Sequence, residues 1–284
     1  MSRRPLVGII KLLTLSMDQH LIALDMDGTT LNNQSKLTDH TVSTLRRLAN
    51  DGHLVVIVTG RPWLISAHLY DQIGLKSPII NFNGALAHLP YQNWKHEYAI
   101  KVTRELTLDM LESRQELGVQ TLIAEDKHHV WADHPSNELP EFLPAQLSND
   151  QILNERNLTD DPIALTIQFD PAKKDAIINR VNERYGDFVE PRVWGGGYSI
   201  MELIHRGTHK ETALSYLAHH FQIDRQHIVA FGDEQNDLEM IDFAGHGVAM
   251  QNAIPELKAV AKDVTTLDNE HDGVADYLEK YFQL

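Results

Sequence analysis

From His20 onward, short apolar runs rich in β-branched residues alternate with stretches whose apolar positions recur every three or four residues. Leu21 to Leu24 is an apolar run that ends at Asp25. Thr38 to Asp51 reads as a helix: Thr38 suits an N-cap, Val42, Leu45 and Leu48 share one face, and Gly52 follows the end. Leu54 to Val58 is continuously apolar, as expected of a strand covered on both faces. Trp63 to Ile73 predicts a second helix stopped by Gly74, and Ile79 to Phe82 a third strand. Such alternation is the signature of an α/β domain with a parallel sheet.

After Asn83 and Gly84 the segments become longer, more polar and less regular, with Pro135, Pro140, Pro144 and Pro162 interrupting the middle. Within this stretch the pattern predicts helices over Thr103 to Leu117 and Pro171 to Tyr185. Strands are expected near Val119 to Ala124, Ile163 to Phe169, Phe188 to Val193 and Ser199 to Leu203. Trp94, Trp131 and Trp194 fall here, and packing is the expected role of all three. Beyond Gly207 the first rhythm returns: helix Lys210 to Phe221, strand Ile228 to Phe231, helix Leu238 to Ala244, strand Gly247 to Met250 and helix Gly273 to Phe282. The expected organisation is one core domain, 17–84 plus 204–284, interrupted by an inserted α+β unit over 85–203.

Composition narrows the classes. With 25 Lys and Arg against 40 Asp and Glu, the net charge of −15 argues against gripping a nucleic-acid backbone. No cysteine is present, which removes disulfides, thiolate metal cages and a cysteine nucleophile, and fits a cytoplasmic setting. Met1 to Ser16 has Arg3 and Arg4 ahead of an apolar stretch, but Lys11 interrupts it and no signal-cleavage pattern follows. Residues 1–16 read as an N-terminal extension, disordered or preceding a start at Met17. The run is short of the ~20 apolar residues that span a bilayer, so no membrane association is expected.

In open parallel sheets, ligands sit beyond the carboxyl ends of the strands. Four strand ends here carry polar residues: Asp25-Met26-Asp27-Gly28-Thr29-Thr30, Thr59-Gly60-Arg61, Asn83-Gly84, and Gly232-Asp233-Glu234-Gln235-Asn236-Asp237. Asp25 and Asp27, two apart in an extended segment, would face the same side. The first suits attack on phosphorus, the second proton transfer to the leaving alcohol and then from water. So many carboxylates would repel a phosphate unless a hard divalent cation reversed the local sign. Mg²⁺ on Asp25, the backbone carbonyl of Asp27, and Asp233 answers that need. Lys210 adds positive charge, while Thr59 and the backbone N–H groups of Met26, Asp27 and Gly60 can donate to phosphoryl oxygens. Arg61 reads either as a substrate contact or as the partner of a neighbouring carboxylate. His128, His129 and His134 lack metal-ligand spacing and read as a solvated surface.

Taken in order, these motifs resemble the haloacid dehalogenase superfamily of phosphohydrolases. D-x-D-G-T stands as Asp25 to Thr29, the Thr after a strand as Thr59-Gly60-Arg61, the Lys as Lys210, and G-D-x-x-N-D as Gly232 to Asp237. Gly247 to Ala253 and Asn269 to Val274 are similar to the Cof-type branch, which carries a large cap inserted after the third strand. The resemblance implies a Rossmann-like core with a C2-type cap and a Mg²⁺-dependent aspartyl-phosphate mechanism on small phosphorylated metabolites. It casts Asp25 as nucleophile and Asp27 as acid and base, with Thr59 and Lys210 holding phosphate. Asp233 would be a metal ligand. Asn83 and Asn236 join the phosphate-binding set, supported by Asp237. Two departures stand out: Glu211 follows Lys210 where Gly is common, and Gln251 precedes Asn252 where Gly is usual.

A phosphomutase or phosphotransferase on the same scaffold, and a metabolite-binding regulator without turnover, are the competing expectations. The second would show an eroded catalytic position, and every position is intact. A monomer or small homo-oligomer is expected.

Overall fold

A computed structural model of the chain describes residues 19–136, 143–193 and 199–284. The N-terminal extension, Pro140 and Trp194 therefore lie outside the described residues. The first segment builds β1 (Leu21–Leu24), α1 (Asp39–Asn50), β2 (Leu54–Ile57), α2 (Trp63–Ile73) and β3 (Ile79–Asn81). Thr38 caps α1 as its sequence suggests, accepting a hydrogen bond from the Thr41 N–H at 3.1 Å. Gly74 closes α2 in the left-handed conformation.

Two short strands follow, β4 (Leu86–His88) and β5 (Tyr98–Ala99). β3, β4 and β5 form their own antiparallel sheet, and β3 touches the parallel sheet through a single bridge between Val58 and Ile80. The third strand thus exists where expected but joins the main sheet at one point only. Its other edge is taken by β4, separated from it by only the four residues 82–85 around the Phe82–Gly84 turn.

The next segment comprises α3 (Arg104–Leu117), β6 (Val119–Glu125), β7 (Val130–Ala132), β8 (Ala164–Phe169), α4 (Lys174–Tyr185), β9 (Val189–Val193) and β10 (Ile200–His205). Residues Pro171–Lys173 form a 3₁₀ turn ahead of α4, so the helix begins later than the sequence pattern suggests. The five strands make an antiparallel sheet in the order β7-β6-β8-β10-β9. Leu106, Met110, Ile177 and Val181 of the two helices pack on Leu122, Leu165, Ile167, Met201 and Leu203 of one sheet face.

The chain then returns through α5 (Lys210–Phe221), β11 (Ile228–Gly232), α6 (Leu238–Phe243), β12 (His246–Ala249), α7 (Pro255–Val260), β13 (Asp263–Val264) and α8 (Gly273–Phe282). The main sheet runs β13-β12-β11-β1-β2, all parallel. β1 and β11 are buried end to end, which is why they read as unbroken apolar runs. Succession proceeds outward from β1 on one side and through β11 on the other. The switch point between β1 and β11 is where open α/β sheets leave a crevice for ligands.

One apolar cluster fills this parallel half. It extends through Ala85, Leu86 and Ala87, with Trp94, Tyr98 and Ile100 packed against it, and reaches Ile163, Ala164 and Ile204 from the inserted segment. Residues 85–100, grouped with the inserted unit by sequence rhythm, pack on the parallel half. Trp131 packs against the second cluster, beneath α3 and α4. No helix among the described residues is long and apolar enough to cross a membrane.

Candidate active site

Asp25 follows directly on β1 and Asp233 on β11, neighbours across the switch point. The chain does not continue extended after Asp25. Met26–Thr30 winds into a single wide turn closed by the Leu31 N–H on the Met26 carbonyl at 2.8 Å. Gly28 makes that turn possible twice over. Its φ is +70°, and a Cβ there would lie 2.1 Å from an Asp233 carboxylate oxygen. The Thr29 hydroxyl donates to Asp233 at 3.0 Å and the Thr30 hydroxyl to the Asp25 carbonyl at 2.6 Å. From the C-terminal segment, Asn252 donates to the Gly28 carbonyl at 2.7 Å and Asn269 to that of Leu31 at 2.9 Å. These two asparagines strap the turn from behind.

Lys210 opens α5 and is fully buried. Its ammonium donates to Asp25 and, at 2.7 Å, to Asp237. Burial opposes its charge, yet Asp237 and Asp25 prevail and its pKa rises. Glu211 does not disturb this. It stands in the first turn of α5, where a carboxylate complements the helix dipole. Asp237 spends its other oxygen on the N–H groups of Asp233 (2.9 Å) and Glu234 (3.2 Å), shaping the loop after β11.

Asp25, Asp233 and Asp237 each offer an oxygen within 4.8 Å of the others, and all three are buried. Desolvation drives the Asp25 carboxyl well above the usual carboxylate range, against the pull of Lys210 and with the push of Asp237 and Asp233. Burial likewise pushes Asp233 up to about 7, aided by Asp237. A pocket that disfavours its own carboxylate charges, with hard oxygen donors and one ammonium, suits a hard divalent cation. Because Asp237 is committed to Lys210 and the loop amides, Asp25 and Asp233 are the side chains left to hold it. The histidines form no such group among the described residues: His129 pairs with Asp126 and stacks on Trp131, and His134 pairs with Asp133.

Asp27 is the departure from the sequence expectation. Its side chain is 54% exposed and forked to Arg61, whose Nε donates at 2.7 Å and whose Nη2 donates to the second oxygen. The chain does not run as a regular strand from one aspartate to the other, because the wide turn begins at Met26, yet the charge of Asp27 still adds to the push on the Asp25 carboxyl. Arg61 takes the carboxylate-pairing alternative. Thr59 is buried beside them, its hydroxyl accepting from the Arg61 N–H at 3.1 Å.

Asn83 sits in the left-handed region (φ 53°) at the end of β3 and donates its own N–H to the Thr59 carbonyl at 3.1 Å. Asn236 donates to its side-chain oxygen at 3.0 Å. The next residue, Gly84, has φ +106°, and a Cβ there would come within 2.3 Å of the His209 carbonyl. Close approach at Gly84 thus brings the third strand end against the residue before Lys210. All four strand ends converge. Sequence reasoning did not single out Thr29, Thr30 or Glu202. The hydroxyls were visible in the D-G-T-T run, whereas Glu202, which accepts from Asn83 at 2.9 Å, left no local signal.

A parallel sheet with a buried carboxylate at its switch point, an ammonium against it and an inserted cap defines the class of phosphoryl-transfer hydrolases. More specifically, residues 22–278 match the family model of haloacid dehalogenase-like hydrolases, and the chain belongs to that family and is an enzyme of its phosphatase kind. It is 34% identical over 266 residues to the 5-amino-6-(5-phospho-D-ribitylamino)uracil phosphatase YitU of Bacillus subtilis (strain 168), covering 93% of this chain and 98% of that one. Similarity to YcsE of the same organism, named for the same activity, is 29% over 261 residues, with 91% and 94% covered. Among solved structures, a haloacid dehalogenase-like hydrolase from Bacteroides thetaiotaomicron superposes with a TM-score of 0.80 at 25% identity, over 93% of this chain and all of that one.

Proposed function

We propose that the protein hydrolyses phosphate monoesters of small metabolites through an aspartyl-phosphate on Asp25, with Mg²⁺ held by Asp25, Asp233 and the Asp27 carbonyl. The observation that carries this reading is the buried Asp25–Lys210–Asp237 array beside Asp233 at the sheet's switch point. When bound, the cation neutralises carboxylate and phosphate charge and so admits the dianion.

The remaining work falls to side chains of this chain. Lys210 orients Asp25 and opposes the burial that disfavours its charge, so that one oxygen can meet phosphorus in line with the leaving alcohol. Thr59, Asn83, Asn236 and the N–H groups of Met26, Asp27 and Gly60 receive the equatorial oxygens. As the P–O bond to the alcohol breaks, Asp27 gives that oxygen a proton; it then takes one from the water that cleaves the acyl phosphate. For this, Asp27 turns from Arg61 toward Asp25, and substrate entry drives that turn. The site lies where the core meets the inserted unit. A small-metabolite enzyme without cysteine fits the cytoplasm.

The activity for which YitU and YcsE are named makes 5-amino-6-(5-phospho-D-ribitylamino)uracil the first substrate to test, beside sugar phosphates, flavin mononucleotide and pyridoxal phosphate. Hydrolysis of p-nitrophenyl phosphate and of at least one panel member is expected with MgCl₂ and not with EDTA. Equal rates in EDTA would refute the cation's part.

A further inference from the structure

Glu202 is a carboxylate that the chemistry above does not use, yet it is 3% exposed and reaches from the inserted sheet into the core. It lies on β10, eight residues ahead of Lys210. Met201 and Leu203 face the helices, so alternation turns Glu202 to the opposite face. There it stands opposite Thr166 of β8 and Arg192 of β9. Glu125 of β6 lies on the same face, with Thr166 donating to it at 3.4 Å. Burial pushes Glu202 up to about 7, opposed by Arg192, the Asn83 hydrogen bond and Lys210. A buried carboxylate is costly and needs a partner that rewards it. Its hydrogen-bond partner is the Asn83 amide, 119 residues away, at 2.9 Å.

That contact decides how Asn83 points. In its ionised form Glu202 only accepts, so the amide nitrogen of Asn83 must then face it, which turns the amide oxygen to Asn236. Asn236 spends one amide hydrogen there and keeps the other for a ligand. Without Glu202, either orientation of the Asn83 amide is open, and one of the two sets NH₂ against NH₂ at Asn236. The backbone of Asn83, fixed to Thr59 and followed by Gly84 against His209, leaves only the amide to be set.

We propose that Glu202 is a positioning residue by which the inserted unit prepares phosphate binding: it fixes the Asn83 amide, and through it Asn236, ahead of the phosphoryl group. The proposal rests on the phosphatase reading. Its effect belongs to binding, so KM rather than kcat should respond.

The test is steady-state kinetics with p-nitrophenyl phosphate and MgCl₂, together with inhibition by inorganic phosphate. Glu202→Ala is expected to raise both KM and the phosphate inhibition constant roughly tenfold, the scale of one hydrogen bond to a charged group, with kcat changed far less. Glu202→Gln, whose amide oxygen still accepts from Asn83, recovers most of the loss. Asn83→Ala shows the same rise, and the double variant Asn83→Ala, Glu202→Ala is no worse than Asn83→Ala alone. If Glu202→Ala does not fold, Glu202→Met, which fills the space without accepting, is read in its place. Wild-type KM in that variant, or losses that multiply in the double variant, would overturn the proposal. Inactivity of the wild type itself toward every monoester would instead overturn the phosphatase reading.

Discussion

Two carboxylates on the inserted sheet, Glu125 and Glu202, set a pH dependence of stability beyond that of the catalytic cluster. Burial raises Glu125 to about 8, with Glu202 adding to the push, and raises Glu202 to about 7. Unfolded, both would titrate near 4.5. Between these values the folded chain holds more protons than the unfolded one, so stability falls as pH rises. The contribution is complete below pH 4.5 and lost on rising through 7 to 8. Glu125→Gln should therefore change stability near pH 5 by no more than about 1 kcal/mol and raise it at pH 9 by about 5 kcal/mol. Urea midpoints at the two pH values check this, and an equal effect at both would refute it. At this same scale the site was unevenly legible. Asp25, Lys210, Asp233 and Asp237 announce themselves by position after strands, and the structure brings them together. The pairing of Asp27 with Arg61 was one of two alternatives open in the sequence, and the wide turn that begins at Met26 left no sign in it. Glu202 was invisible, since a charge alternating with Met201 and Leu203 looks solvent-facing until the core that covers it is known.

The turn from Asp25 to Thr30 is the element most constrained by its sequence. It wraps a carboxylate from another strand so closely that only hydrogen fits at Gly28. Gly28→Ala should lower stability by about 1–3 kcal/mol through backbone strain and contact. It should also cost at least roughly a hundredfold in turnover, because displacing Asp233 by even an ångström spoils the site geometry. Wild-type turnover in a folded Gly28→Ala protein, measured by circular dichroism and phosphate release, would show that the close approach is unimportant. Elements with a strong period were readable in advance: α1 with its Thr38 cap, α2 ending at Gly74, and the unbroken apolar β2. Those that escaped are β4, β5, β7, α7 and β13, none longer than six residues. Pairing with neighbouring strands holds β4, β5, β7 and β13, as where Ala124 meets Trp131 or Leu86 meets Ala99, and so short a window carries no usable period.

Across the whole molecule, the net charge of −15 argues against gripping a nucleic-acid backbone but not against a small phosphate ester. Some of that charge is gathered at one point, between two halves of the parallel sheet, where the fold keeps carboxylates that disfavour their own ionisation. A divalent cation should then stabilise the folded chain by mass action, by about 2.7 kcal/mol at a hundred times its dissociation constant. MgCl₂ is expected to raise the melting temperature of the wild type. Asp233→Asn should melt higher than the wild type in EDTA, because a buried charge is gone, and should lose the response to MgCl₂. A variant that still responds fully would remove Asp233 from the cation site. The central claim is that Asp25 itself attacks phosphorus, and acid quenching during turnover followed by peptide mass spectrometry tests it most directly. The expected result is a phosphoryl adduct on the peptide carrying Asp25, absent from an inactive Asp25→Asn variant. No adduct together with undiminished hydrolysis by Asp25→Asn would contradict it.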